Sequence, residues 1–323
     1  MNRLILGAIV RPLAGVLRGM QSDAPQVSII RKVLTGIVLV PVMGVIVVIL
    51  RLRSRFGGPI PVTGETVNGD RLQCHLPDLI QMYIYLFGWW EPDLTVYIRD
   101  HLRPGDTLID VGANIGYFTL LASRCVGANG QVIAFEPAPR IVEALESHVR
   151  DNAAANVRIV PCAVSREEGT ITVYGGPAHN LGLTTTRDSR GLPAEADVPC
   201  GPLGAYVDHE ASHTVRLVKI DVEGGEPAVL AGMVEWLDHA PSDVELLVEL
   251  SPLWWADRTQ TVEDVLRPFT ERGFNVYTIP NNYWPWRYLW PHDVGRPRRS
   301  IGALSANVKR HDLVLSRRDQ DML

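Results

Sequence analysis

Cysteine is scarce in this 323-residue chain: Cys74, Cys125, Cys162 and Cys200 are the only four, and no two form a CxxC pair. That spacing excludes a zinc knuckle, a redox dithiol and a disulfide scaffold, and fits reduced thiols. No Walker-type loop is present, so the chain has no sequence-level cradle for a nucleotide triphosphate. Positive charge is not in excess either. The net charge of −5 gives no overall case for nucleic acid. Hydrophobic residues at 46% against charged residues at 21% exclude a disordered chain, and no internal repeat is visible.

The even charge balance hides an asymmetry. Residues 1–55 hold eight basic groups and one acid, Asp23, for a net of +7, which leaves −12 for the rest. Within that stretch Val33 to Leu50 is an 18-residue run without a charge, about 27 Å long as a helix and near the thickness of a hydrocarbon core. Arg31 and Lys32 precede it, and Arg51, Arg53 and Arg55 follow, so the positive-inside rule gives no orientation. It lies too far from Met1, and lacks the small-residue cleavage site, for a signal peptide. Pro41 predicts a kink. Leu4 to Leu17 is apolar around Arg3, Arg11 and Arg18, which share one helical face. A transmembrane or in-plane anchor touching anionic lipid is expected, with the body of the protein on the cytoplasmic face. A helical extension packed on protein is the competing reading.

From Gly57 the pattern changes. The Pro and Gly of FGGPIPVTG mark a boundary. Residues 1–56 are read as the extension, 57–100 as a small lobe or cap, and 101–323 as the main domain with an aromatic-rich insertion at 280–299. Strands are expected at Thr107–Val111, Gln131–Phe135, Val157–Pro161, Val215–Ile220, Val244–Leu250, Phe274–Ile279 and Asp312–Ser316. Helices are expected at Gly116–Arg124, Pro139–Asn152, Pro227–Trp236 and Val262–Arg272. Such alternation predicts an α/β, doubly wound, mostly parallel seven-stranded sheet with an antiparallel final pair.

Thr107 to Thr119, TLIDVGANIGYFT, is the most informative stretch. A strand ending in Asp110 turns through Gly112, Ala113, Asn114 and Gly116 into a helix, where glycine permits positive φ and a close approach. The carboxyl end of a first parallel strand is where nucleotides bind, and Glu136 at the end of the second suits a ribose. A GxGxxG dinucleotide loop fits poorly, because the glycine spacing is wrong and no third glycine follows. A strand-end acid suits a ligand carrying an amino group and no phosphate. Asp221 and Glu223 close the fourth strand on the same edge, and a carboxylate there could take a proton from an alcohol. Glu249 and, in its loop, His179 are further candidates for that role. The bland readings are a helix-start charge for Glu226, an ion pair for Lys219 and a cofactor contact for Asp221. Four carboxylates in one crevice could gather magnesium, but nothing fixes ligand geometry and no metal is expected.

IDVGANIGYFT, VIAFEPAP and VKIDVEGGEPAVLAGM, in that order, resemble the FkbM-type S-adenosylmethionine-dependent methyltransferases. LRPGDT and FGWWEP are similar to that family too, and the resemblance spans about residues 70–275. It implies a class I, Rossmann-like methyltransferase fold and S-adenosyl-L-methionine as cofactor. By position it also implies that Gly112, Ala113, Asn114 and Gly116 pass the methionine and ribose, while Glu136 and Pro137 hold the ribose. Cys162 and Ala163 would flank adenine, and Glu91 would sit at the cofactor mouth. The implied activity is O-methylation of a sugar, glycolipid or polyketide-type acceptor, with the tryptophans of SPLWW and of Tyr283–Trp290 as candidate acceptor surfaces. Arg296, Arg298 and Arg299 nearby would suit a phosphate group. A nicotinamide-dependent oxidoreductase and a non-catalytic cofactor-binding scaffold at the membrane remain open on the residues alone.

Overall fold

A computed structural model describes residues 10–21, 28–176, 184–186, 188, 191–292, 294–300 and 302–323. The chain divides into two compact units. The first takes in Met1–Tyr97 and Asn281–Gly295; the second takes in Ile98–Pro177, Gly182–Pro280 and Arg296–Leu323.

In the first unit, a short helix Arg11–Gly19 is followed by a long one, Ile29–Gly57, which runs through Pro41 and ends at the left-handed Gly58. Ser28 caps its start by accepting from the Arg31 N–H. Leu39, Met43, Ile46 and Leu50 recur at helical spacing and are buried, while Ile29, Ile30, Val33, Leu34, Ile37 and Val38 are exposed. An antiparallel hairpin, β1 (Ile60–Glu65) and β2 (Arg71–Leu76), alternates buried and exposed residues as one-sided strands do. The helix Leu79–Phe87 follows, capped by Asp78. Arg18 departs from the expectation that it faces lipid. Its guanidinium donates to the carbonyls of Glu65, at the end of β1, and of Ile84 and Tyr85, in the last turn of the helix Leu79–Phe87, at 2.8, 3.1 and 2.9 Å, where a cation meets the negative end of the helix dipole.

The second unit is built on β3 (Thr107–Val111), β4 (Gln131–Phe135) and β5 (Val157–Val160), which pair in parallel. The chain then makes a small three-stranded sheet from β6 (Ala163–Val164), β7 (Gly169–Tyr174) and β8 (Ala194–Gly201). It returns to the far side of β3 as β9 (Val215–Ile220), followed by β10 (Glu245–Leu250), β11 (Asn275–Thr278), a two-residue β12 (Arg298–Arg299) and β13 (His311–Ser316). The order across the sheet is β12-β11-β13-β10-β9-β3-β4-β5, with β13 antiparallel to both neighbours. The expected seven strands are therefore present, and β12 adds an eighth at one edge. Helices Tyr117–Val126, Pro139–Asp151, Glu226–Met233 and Val262–Thr270 fill the crossovers. Every residue of β3 is buried, and the main core joins Ile109, Ile133, Val218, Leu246 and Leu313 of five strands to Leu230 and Phe269 of two helices. The small sheet was not anticipated, although Gly169–Tyr174 (GTITVY) carries the period-two alternation of a strand.

Gly232 shows how tightly the helix Glu226–Met233 sits: a Cβ there would lie 1.9 Å from the Ser165 carbonyl oxygen. Gly15, on the helix Arg11–Gly19, has nothing within 4 Å of the same position. Gly232→Ala is expected to cost about 1–3 kcal/mol through overpacking despite its better helix propensity. Gly15→Ala is expected to leave stability unchanged or slightly raised. Thermal unfolding of the two variants checks the contrast.

Candidate functional site

Parallel strands β4, β3, β9 and β10 end on one edge, and the chain reverses its direction of travel across the sheet between β3 and β9. That switch point is where an open sheet leaves a crevice. The register decides which side chains meet there. Asp110 of β3 stands opposite Lys219 of β9, so the two project to the same face. Lys219 Nζ lies 3.4 Å from Asp110 Oδ1. Two residues on, with the same facing, Asp221 brings Oδ2 to 3.7 Å from the same ammonium. Lys219 Nζ also donates to the Gly112 carbonyl at 3.5 Å and lies 5.2 Å from the Phe118 ring centre. Asp110 Oδ2 accepts from the Thr119 hydroxyl at 2.7 Å, while Oδ1 has no aligned hydrogen-bond donor among the described residues, so its contact with Lys219 is electrostatic.

The glycine turn is held from two sides. Gly112 has φ +83°, and a Cβ there would fall 1.8 Å from the Asp221 carbonyl oxygen, so only glycine lets the β9 exit pass. The N–H groups of Gly112 and Ala113 both donate to the Phe135 carbonyl. Asn114 adopts φ +50°, and its side chain accepts from the Ile115 N–H at 2.7 Å. The Asn114 N–H donates to Glu136 Oε2 at 2.9 Å, while Glu136 Oε1 accepts from the Ala138 N–H at 3.0 Å. Burial pushes the Glu136 carboxyl up to about 7, against those hydrogen bonds. Each of its oxygens keeps a second lone pair, which a ribose hydroxyl can use. Gly116, with φ +92°, then starts the helix.

Beyond β9 the chain crowds acids together. Oxygens of Asp221, Glu223 and Glu249 lie within 4.8 Å of one another, each side chain partly exposed. Glu223 has φ +53°, and its carbonyl accepts from the Thr185 hydroxyl at 2.8 Å. Glu249 also meets Arg310 at 3.6 Å. Glu226, fully buried, accepts from the Gly224 N–H at 2.6 Å and from the Trp255 indole at 2.8 Å, tying the β9 exit to the β10 exit. Burial raises its carboxyl to about 7, and Glu223 nearby adds to the rise. An edge of carboxylates with no phosphate cradle repels a pyrophosphate and suits a sulfonium and an ammonium. The donor set therefore fits S-adenosylmethionine and disfavours a nicotinamide dinucleotide.

Residues 110–276, just over half of the chain, match the family model described as Methyltransferase FkbM domain. The chain belongs to the FkbM methyltransferase family. It is an S-adenosylmethionine-dependent methyltransferase. A 31-O-demethyl-FK506 methyltransferase of Streptomyces tacrolimicus is 33% identical over 167 residues, 42% of this chain and 64% of that protein. The chain thus spans just under two thirds of that relative. A methyltransferase of Sordaria araneosa, sdnD, is 26% identical over 205 residues, 54% of this chain and 77% of its own. A solved O-methyltransferase from Thermotoga maritima aligns over 81% of this chain and 80% of its own, at 16% identity and a TM-score of 0.38.

Within this FkbM methyltransferase the second unit brings together Gly112, Ala113, Asn114, Gly116, Glu136 and Pro137 at one corner. Asp221, Glu223 and Glu249 gather at another. Asp110 differs from the expected direct ligand: with no exposed surface, it is committed to Lys219 and Thr119 and acts from beneath the turn. The Cys162 side chain joins the apolar core, where burial raises its thiol, so this position and Ala163 offer a ligand only backbone. Glu91 belongs to the first unit, where its buried carboxylate accepts from Asn281 and Tyr283 at 2.9 and 2.7 Å. His179 lies outside the described residues. Trp255, Tyr288 and Trp290 are buried, so they are packing residues rather than acceptor platforms; Trp284 is the exposed tryptophan of its cluster. Arg299 is paired with Asp319 and Asn275.

Two buried acids raised to about 7 make stability depend on pH. Below their ordinary value of 4.5, both are protonated whether the chain is folded or not. As pH rises from there to about 7, the unfolded chain releases protons that the folded chain keeps, so stability falls across that window and the loss is complete above it. Glu226→Gln is expected to flatten the decline in melting temperature between about pH 5 and 7.5, at some overall cost because its amide nitrogen cannot accept from Trp255. An unchanged slope contradicts the assignment.

Proposed function

We propose that this enzyme methylates a hydroxyl oxygen on an amphipathic acceptor, of glycolipid or polyketide type, at a membrane surface, with Asp221 as the base. The convergence of Asp221, Glu223 and Glu249 beside the glycine turn carries this reading. The relative named for 31-O-demethyl-FK506 supports oxygen as the acceptor atom. The membrane part rests on the helix Ile29–Gly57, which holds one segment, Ile29–Ser54, apolar and long enough to cross a bilayer. Water does not stabilise so many exposed aliphatic side chains on one helix, whereas a bilayer covers them.

When bound, S-adenosylmethionine supplies a methyl group on a positively charged sulfur, which needs no further activation. The chain's own residues then have to exclude water, hold the hydroxyl in line and take its proton. Asp221 suits the last task. Its side chain is 31% exposed, and Lys219 beneath it fixes one oxygen and leaves the other for the acceptor. As the hydroxyl oxygen gains the methyl, its proton passes to Asp221. Glu249 is engaged by Arg310 and Glu223 sits on a left-handed turn, so both serve to position the acceptor and balance the sulfonium charge. The turn residues Gly112–Gly116 and Glu136 hold the methionine and ribose parts.

Asp221→Asn preserves shape and removes the proton acceptor. It is expected to lower kcat by about 10²- to 10⁴-fold while S-adenosylhomocysteine affinity stays within a few-fold of wild type. Transfer of labelled methyl to lipid extracts, with calorimetric titration of S-adenosylhomocysteine, reads both quantities. Full turnover in the variant rules out Asp221 as the base.

A further inference from the structure

His148, 1% exposed, is a buried imidazole to which the proposed chemistry gives no task. It stands on the helix Pro139–Asp151, where Ile141, Leu145 and His148 follow at intervals of four and three and form one inward face. A polar ring at such a position costs stability unless it is hydrogen-bonded. Its Nδ1 lies 2.8 Å from the carbonyl oxygen of Ile115. A carbonyl only accepts, so Nδ1 carries the hydrogen and donates. That carbonyl belongs to the glycine turn. Ile115 sits between Asn114 and Gly116, both left-handed, at φ +50° and +92°. The peptide group joining Ile115 to Gly116 is held at both ends: its oxygen by His148, and its N–H by the Ala113 carbonyl at 3.0 Å. Without the first contact this group would be free to turn over, because glycine accepts φ of either sign. Leu145, one helical turn before His148, brings Cδ1 to 2.5 Å from where a Gly116 Cβ would stand, closing the turn from the same helix. The start of that helix is tied to Glu136, whose Oε1 accepts from the Ala138 N–H while Oε2 accepts from the Asn114 N–H. One helix thus backs both ends of the turn.

We infer that His148 is a positioning residue for S-adenosylmethionine: by donating to the Ile115 carbonyl it keeps the Asn114–Gly116 turn in the conformation that receives the cofactor. It touches no reacting atom and acts through the backbone of the turn. A turn that samples a second peptide orientation binds only through the fraction of molecules holding the first, and apparent affinity falls by that fraction. The inference concerns the cofactor turn alone, so it does not depend on which acceptor the enzyme methylates.

Calorimetric titration with S-adenosylhomocysteine and amide hydrogen exchange of residues 112–116 test it, on the full-length protein well below its melting temperature. His148→Leu keeps apolar packing and removes the donor. It is expected to weaken binding about tenfold, as if about one molecule in ten held the receptive turn, and to speed exchange of the turn amides in the cofactor-free protein. His148→Asn places an amide Nδ2 as many bonds from the backbone as the lost Nδ1, and should return affinity to within about threefold of wild type. His148→Gln, whose amide reaches as far as Nε2, misplaces the donor and should bind as weakly as His148→Leu; it carries the test if the leucine variant does not fold. Gly232→Ala, destabilised away from the turn, should bind as wild type does and controls for lost stability. Wild-type affinity or unchanged turn exchange in the loss variants overturns the inference. So does a His148→Asn variant as weak as the loss variants, which makes the packing of the ring, not its N–H, the cause. Equal weakening in Gly232→Ala overturns it as well, because the effect then follows global stability.

Discussion

A buried ammonium between two carboxylates organises the catalytic unit. Lys219 has almost no contact with solvent, yet it meets Asp110 of one strand, Asp221 of the next and the carbonyl of the glycine turn. Burying Asp110 without a counter-charge would be prohibitive, and removing one partner of such a pair costs about 3–5 kcal/mol. The ion pair therefore requires β3 and β9 to be neighbours in this register. Once they are, Gly112 has to be glycine, because the Asp221 carbonyl occupies the space of its Cβ. The glycine turn and Asp221, the base proposed above, are thus placed by the same contact, and a shift in one moves the other.

The two acids raised toward neutrality extend that frame. Glu136 binds the backbone of the turn after β3 to the end of β4, and Glu226 binds the loop after β9 to Trp255 after β10. Both accept N–H groups that would otherwise be left unpaired in the interior, which is what a crevice built from loop ends needs. Charge there has consequences for chemistry. An acidic rim attracts a sulfonium, while it repels phosphates.

Much of this was legible in the sequence, and the reasons differ by element. Strand ends such as Asp110, Glu136 and Asp221 stood out because an acid closing a buried apolar run is costly unless it has work to do. Their division of labour was not legible, because it depends on register: Lys219 read as a simple ion-pair partner until the pairing of β3 with β9 set it opposite Asp110. Arg18 misled for a similar reason, since helical periodicity gives a face but not what lies across from it. The small sheet β6–β8 escaped notice because its strands are short or half polar, and the tryptophans because composition does not distinguish a buried ring from an exposed one. Cys162 and Glu91 were placed by resemblance, which gives a position in the chain and not the direction of a side chain.

The most direct measurement is a double-mutant cycle on the central ion pair, with Asp110→Asn, Lys219→Met and the pair together, read by unfolding and by S-adenosylhomocysteine titration. Each single change should destabilise the fold and weaken cofactor binding, while the double variant should recover stability, with a coupling of about 1–3 kcal/mol. Losses that simply add would mean that the two side chains act independently, and that the pair does not join the cofactor turn to the catalytic strand.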